Sequence, residues 1–190
     1  DAPLSMYVNT SEGVMLNGIS SVTTADVSAD NGVIHIVDAV ITLPSVVTFA
    51  AADAATFSEL VGALTRADQP AYVSVLTTAN GTAPAPFTVF APTNQAFADL
   101  YAELGVAGID DVDGAILTAT LNTHVVAGAN VRAEDLVTGT VATLGDAVEI
   151  DATTAIITDP NGRTSQVIVT NVQAANGVIH AIDTVLLPQL

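Results

Sequence analysis

The sequence predicts an α+β fold, with helices first and strands after. Three observations carry this. Apolar side chains recur at helical spacing between residues 53 and 104. From about residue 139 onward the texture changes to short β-rich runs separated by turns. One strand phrase is also written twice, as "NGVIHIVD" at 31–38 and "NGVIHAID" at 176–183.

The repetition sets the organisation. Asn31 and Asn176 are related by a shift of 145 residues. At that shift Val22 meets Val167, Asp26 meets Asn171, Val27 meets Val172, His35 meets His180 and Asp38 meets Asp183. "DAVITLP" (38–44) matches "DTVLLP" (183–188) after one inserted residue, and "LNG" (16–18) resembles "PNG" (160–162). A period this long is domain-sized. The expectation is a tandem array cut inside its first copy: 1–44 as the C-terminal fragment of one repeat, 46–190 as a complete domain.

The elements follow in order. In "DAATFSELVGALTRA" (53–67), Phe57, Leu60, Val61 and Leu64 mark a helix with Asp53 as its N-cap. "FTVFAPT" (87–93) reads as a strand that Pro92 stops. The oxygens of Thr93 and Asn94 are placed to cap the helix "QAFADLYAEL" (95–104), and Gly105 ends it. "DGAILTATLNTHVVAG" (113–128) starts helical and finishes extended. The runs "TVATL", "AVEID", "TAIIT", "SQVIVTNV" and "GVIHAIDTVLL" read as strands. "DPNG" (159–162) and "AANG" (174–177) are the turns between them, with Asn176-Gly177 a strong hairpin signal.

Within "GVIHAID", the alternating sets Val178, His180, Ile182 and Ile179, Ala181, Asp183 are both mostly apolar. Such a strand is covered on both sides. His180 therefore reads as a hydrogen-bonded core residue ahead of a ligand or base, and Asp183 as a local turn partner ahead of a catalytic acid.

Half of the 190 residues are apolar, and aromatics are few, so the core must be built from Val, Ile, Leu and Ala. There is no Lys; Arg66, Arg132 and Arg163 face twenty acids, for a net charge of −17. That balance excludes nucleic acid and anionic membrane as partners, since neutralising phosphate needs Lys and Arg. The acids are dispersed among β-branched residues, which argues for a folded, solvated acidic surface. "IDDVDG" (109–114) is the best candidate for bound Ca²⁺, but the further acids and closing Glu of a calcium loop are missing. No metal or other cofactor is expected. The absence of Cys rules out disulfides, a thiol nucleophile and Cys-ligated zinc. No apolar run approaches membrane-spanning length. Asp1 opens the sequence without a signal-like stretch, so any export signal is expected to have already gone.

"FTVFAPTNQAF" (87–97), "LNTHVVAG" (121–128) and "NGVIHAIDTVLLP" (176–188), in this order and spacing, resemble the fasciclin (FAS1) domain. The outer segments look like its two conserved boxes and the middle one like its Tyr-His segment. The match spans about 46–190, and residues 1–44 look like the last third of a preceding FAS1 domain. The resemblance implies a β-sandwich-like wedge with several packed helices. It also implies an extracellular, cell-surface or matrix-associated adhesion module, often in tandem, with the periplasm as the bacterial alternative. Its partners would be proteins or glycans at a cell surface or matrix. For adhesion, the family's Tyr-His pair falls on Thr123 and His124, where Thr replaces the tyrosine. Its Asp-Ile pair falls on Asn171 and Val172 in the complete domain and on Asp26 and Val27 in the partial copy, so only the partial copy keeps the carboxylate.

No Gly-x-Ser-x-Gly elbow, phosphate loop or His-Glu-x-x-His occurs, so the chain reads as non-catalytic. Asn9-Thr-Ser and Asn80-Gly-Thr match the N-glycosylation pattern. Two further readings stay open: a glycan- or small-molecule-binding FAS1 domain, and a structural spacer in a tandem array or filament. The fragment 1–44 would leave an apolar face and sheet edges open, so a homo-oligomer or a second chain completing it is expected, the alternative being that it folds back on the complete domain as a small covering hairpin.

Overall fold

The computed structural model describes residues 3–189. Its first 44 residues contain two short strands, β1 (Val8–Asn9) and β2 (Met15–Leu16), then a long hairpin, β3 (Ser20–Ala29) and β4 (Gly32–Val37). They form an antiparallel sheet in chain order, with β4 at one edge.

Three helices follow. Helix α1 (Val46–Ala52) starts at a reciprocal cap, in which Ser45 Oγ accepts from the Thr48 N–H and Thr48 Oγ1 accepts from the Ser45 N–H. Only Asp53 separates it from α2 (Ala54–Thr65), which kinks at Phe57. A short α3 (Tyr72–Leu76) comes after Pro70. The expected helix at 53–67 is thus α2, but Asp53 caps it without a side-chain hydrogen bond. Its carboxylate instead accepts from the Tyr7 hydroxyl at 3.1 Å.

The wholly buried β5 (Phe87–Pro92) leads into α4 (Asn94–Leu104), α5 (Gly114–Thr123) and β6 (Val125–Ala127). Thr93 is the N-cap of α4, its Oγ1 accepting from the Ala96 N–H at 3.2 Å. Asn94 does not share that task. Its Oδ1 accepts from the Glu59 N–H and its Nδ2 donates to the Ala55 carbonyl, tying α4 to α2. Gly105, at φ 68°, closes α4 in the left-handed conformation.

The β-rich end adds β7 (Gly139–Val141), β8 (Val148–Asp151), β9 (Ile156–Thr158), β10 (Thr164–Ala174) and β11 (Gly177–Ile182). The seven-stranded sheet runs β6-β5-β11-β10-β9-β8-β7. Its one parallel pairing is β5 beside β11, from Gly177 opposite Phe87 to Ile182 opposite Pro92. Every residue of β11 is buried. Val185, Ile179 and the helical Phe97, Leu100 and Leu121 share one core; Phe90, Ile182 and Leu186 share a second with β8 and β9. The β11 strand is therefore covered on both faces, as its two apolar sets require.

The repeated phrase is a repeated structure. The β3–β4 hairpin pairs Val22 with Val37, Thr24 with Ile36, Val27 with Ile34 and Ala29 with Gly32. The β10–β11 hairpin pairs Val167 with Ile182, Val169 with Ala181, Val172 with Ile179 and Ala174 with Gly177, each position 145 residues on. Both bulge at the same places, with Asp26 and Asn171 at φ 58° and 60°. Strands β1 and β2 stand to β3 as β8 and β9 stand to β10, since Leu16 faces Ser20 as Ile157 faces Ser165. Even the side-chain bonds recur. Ser20 Oγ donates to the Ala39 carbonyl and Ser165 Oγ to that of Thr184; Asp38 accepts from the Ser21 N–H and Asp183 from that of Gln166. What differs is cover. The residues of β4 from Gly32 to Ile36 are exposed, where those of β11 are buried.

Candidate interaction site

The bulge in β10 flanks an open apolar surface of the larger unit. At Asn171 the backbone enters the left-handed region, which Asn tolerates better than most residues. The Asn171 Oδ1 accepts from the Ala133 N–H at 2.8 Å and its Nδ2 donates to Glu134. Glu134 in turn pairs with Arg132, whose guanidinium holds that carboxyl down at about 2. The bulge is therefore fastened to the 130–135 loop on one side. On the other, Ile168 and Val169 stand half exposed.

Facing them are Phe49 of α1, Thr56 and Phe57 of α2, and Met6 and Tyr7 of the N-terminal segment. Together they enclose a groove of about 430 Å³ that also reaches Val172, Ile179 and Ala181. Its lining is mostly apolar. Its main polar feature is the Tyr7–Asp53 pair, in which burial and the neighbouring carboxylate raise the tyrosine pKa. The groove exists because the N-terminal segment docks here. The Ser5 N–H donates to the Gln173 carbonyl at 2.9 Å, and the Gln173 N–H donates to Ser5 Oγ at 3.0 Å. At the far end the Ala175 N–H donates to the Pro44 carbonyl.

The other positions singled out in the sequence lie elsewhere. Thr123 and His124 are buried at the end of α5. His124 Nδ1 donates to the Thr120 carbonyl at 2.7 Å and Nε2 accepts from the Leu186 N–H at 3.0 Å. That pairing requires the neutral ring, and burial pushes its pKa down to about 4. His180 is fully buried beside Phe90; its Nε2 meets the Val131 carbonyl at 2.9 Å, while Nδ1 has no partner among the described residues. Burial lowers its pKa as well.

Pro92 ends β5 and Asp183 holds the turn after β11 through Gln166 and Thr184. Asp26 and Val27 are exposed on the first hairpin, where the Asp26 N–H meets His35 Nδ1. Asn176 links three segments, accepting from the Val46 N–H and donating to the Leu76 and Thr78 carbonyls. A side chain at Gly177 would lie 2.9 Å from the Phe87 nitrogen and overlap its carbonyl, so β5 and β11 meet only because this residue is glycine. In "IDDVDG", Asp113 caps α5 through the Ala115 and Ile116 N–H groups, and Asp111 accepts from Ala107. Among the described residues no group of His, Asp and Glu could hold a metal ion.

Only Asn171 and Val172, of the residues chosen for adhesion, line the groove. Tyr7, Phe49, Asp53 and Phe57 were not marked out as site residues, because they come from segments that meet only in the fold. One signal was available: "QVIV" lacks the alternation of a strand with one wet face.

The fasciclin domain family model matches residues 2–44 and 55–188. The chain belongs to the fasciclin domain family. An uncharacterized Synechocystis protein, sll1735, is 36% identical over 146 residues, covering 76% of this chain and 98% of that protein. A second Synechocystis protein, sll1483, is 38% identical over 137 residues, 71% of this chain and 69% of that one. A fasciclin-like arabinogalactan protein of Arthroderma benhamiae is 32% identical over 177 residues, 91% of this chain but 37% of the fungal protein. In fold, the chain is similar to a FAS1 domain pair from the insect cell adhesion molecule Fasciclin I. The TM-score is 0.60 at 22% identity, over 97% of this chain and 66% of that structure. Fasciclin domains are adhesion-type modules, generally non-catalytic, and among the described residues no helix is long and apolar enough to cross a membrane.

Proposed function

We propose that this fasciclin chain is an extracellular or surface-attached interaction module that holds an apolar segment of a partner protein in the groove beside Asn171–Val172. The observation that carries the reading is the groove itself. Its volume suits a few side chains of a partner, and Ile168, Val169, Phe57 and Met6 offer them apolar surface. The acidic surface around it, at a net charge of −17, favours partners that carry Lys and Arg beside the apolar segment. Most polar groups of the groove are already engaged, Tyr7 with Asp53, Asn171 with Ala133 and Glu134, and Ser5 with Gln173, and few are left for sugar hydroxyls, so a protein partner is preferred over a glycan.

The test uses beads coated with the chain and a panel of immobilised matrix proteins and polysaccharides. The expected result is attachment to one or more proteins, reduced about tenfold by Val169→Glu at unchanged Tm. Val169 is half exposed, so the substitution places a charge in the groove without disturbing the core. Attachment that ignores Val169→Glu removes the groove from the reading, and attachment to polysaccharides alone replaces the protein partner.

A further inference from the structure

Asn-Gly occurs five times, at 17–18, 31–32, 80–81, 161–162 and 176–177. The pair carries a reaction of its own. The glycine nitrogen can attack the asparagine Cγ, because glycine has no Cβ to hold it away. In a folded chain the attack needs two freedoms. The side-chain amide must be able to turn toward the backbone, and the glycine N–H must not be committed elsewhere.

At most of the pairs the fold removes these freedoms. Asn17 is buried, with its Oδ1 held by the Tyr7 N–H at 2.9 Å. Asn161 Nδ2 donates to the Pro188 carbonyl at 2.7 Å, and the Gly162 N–H donates to the Asp159 carbonyl at 2.9 Å. Asn176 is buried and fixed by its bonds to Val46, Leu76 and Thr78. Asn31 is exposed, but Gly32 is already a strand residue paired with Ala29.

Asn80-Gly81 keeps both freedoms. The pair forms the centre of a turn closed by the Thr82 N–H on the Ala79 carbonyl at 3.1 Å, and residues 79–83 are all exposed. Among the described residues the Gly81 N–H meets only Asn80 Oδ1, at 3.0 Å, and no other group holds that amide. The nucleophile therefore lies against the group it must attack.

We infer that Asn80 is a modification site, at which the chain converts its own side-chain amide to a carboxylate with water as co-reactant. Hydroxide or a buffer base takes the Gly81 N–H proton, and the nitrogen bonds to Asn80 Cγ. The Cγ–Nδ2 bond then breaks, and the amide nitrogen leaves with a proton as ammonia. Water opens the resulting five-membered imide at either carbonyl. Opening at Cγ gives aspartate; opening at the Asn80 backbone carbonyl gives isoaspartate, with the main chain running through Cβ and Cγ. Each product has gained a water and lost an ammonia, without oxidation or reduction, and carries a new negative charge. The flanks of the turn are tied separately, the Thr78 carbonyl to Asn176 and the Pro84 carbonyl to the Gly128 N–H, so the change stays within the turn. The nitrogen lost is the one a sugar would occupy in the Asn80-Gly-Thr pattern, so the two modifications exclude one another. This inference is independent of the groove.

The experiment incubates the chain in heavy-oxygen water at mildly alkaline pH, folded and in concentrated urea, and locates the label by peptide mass spectrometry. In the folded chain Asn80 is expected to stay within about tenfold of its unfolded rate, while Asn17, Asn161 and Asn176 slow by more than that, since they react only from locally opened states. Asn31 should fall behind Asn80. Fragmentation should show both aspartate and isoaspartate at position 80. Asn80→Gln, whose longer side chain closes a less favourable ring, should lose the label at unchanged Tm. A folded rate at Asn80 more than about tenfold below its unfolded rate overturns the inference, as does faster labelling at any other pair. Aspartate without isoaspartate, or label that persists in Asn80→Gln, overturns it in favour of direct hydrolysis of the amide.

Discussion

Asn176 Nδ2 donates to the Leu76 carbonyl at 2.7 Å, across 100 residues of chain. The same amide donates to Thr78 and accepts from the Val46 N–H at the first turn of α1, so one side chain ties α1, the end of α3 and the head of β11. The bonds to Val46 and Leu76 are buried away from water, and the one to Thr78 is partly buried.

Asn176→Ala should therefore lower stability by about 2–4 kcal/mol, because it leaves a buried helix-terminal N–H and a carbonyl unpaired. Asn31→Ala, at the equivalent exposed position, should change it by less than about 0.5 kcal/mol. Urea denaturation of the two variants measures the difference directly. Equal effects would show that the Asn176 bridge contributes nothing.

Gly177→Ala tests the close approach of β5 and β11. The new methyl would overlap the Phe87 carbonyl, and backbone cannot move aside as a side chain does. The expected loss is about 3 kcal/mol, the upper end of what overpacking typically costs, because the clash is with backbone. A thermal melt indistinguishable from the parent chain would contradict the approach.

Acid should weaken the fold from pH 6.5 downward. The unfolded His124 titrates near 6.5, while the folded one is held down to about 4 by burial. Above about pH 6.5 both states are neutral and nothing is lost. Between 6.5 and 4 the unfolded state takes up a proton the folded state refuses, so stability falls, by about 3 kcal/mol in all, and levels off below 4. His180, also lowered by burial, acts in the same direction. Asp68 and Glu134, each held at about 2 by an arginine, lose their contribution only as pH drops from near 4 toward 2. Urea midpoints against pH should show the fall above pH 4, and His124→Gln should be less stable at pH 7 but flatter in that window. An unchanged slope in the variant would assign the titration elsewhere.

Calcium should find no tight site. Asp113 is already engaged with two N–H groups of α5 and Asp111 with Ala107, and their carboxylates do not converge with other acids on one point. Calorimetric titration is expected to give no saturable binding at micromolar concentration. Micromolar binding abolished by Asp111→Asn would reverse this reading.

How much of this was legible in the sequence depended on distance along the chain. The hairpins, the strand at 87–92 and the helices at 54–65 and 94–104 rest on periodicity and local breakers, and all were readable. Helix α1 was not, because Thr48 rather than an acid completes its cap and its apolar run has no helical phase. Helix α3, with five residues, is too short to show one. Asn94 was read as a cap since Asn so often is; it faces α2 instead because Thr93 already occupies the cap. The groove was beyond reach, since residues 5–7, 49–57 and 168–172 have no local reason to meet. The exposure of β4 was foreseeable from the repeat alone, for the strand carries the residues of a buried one.

The order of strands also sets how the chain carries tension. A pull applied at residue 44 and at residue 188 draws β5 by its leading end and β11 by its trailing end, and the two run parallel. Their hydrogen bonds then share the load as a lap joint does, all straining together. The β3–β4 hairpin is gripped at Ser20 and Val37, two neighbouring ends of antiparallel strands, and opens one rung at a time like a zip. Under tension the first sheet would yield early, lengthening the chain, while the seven-stranded sheet bears the force.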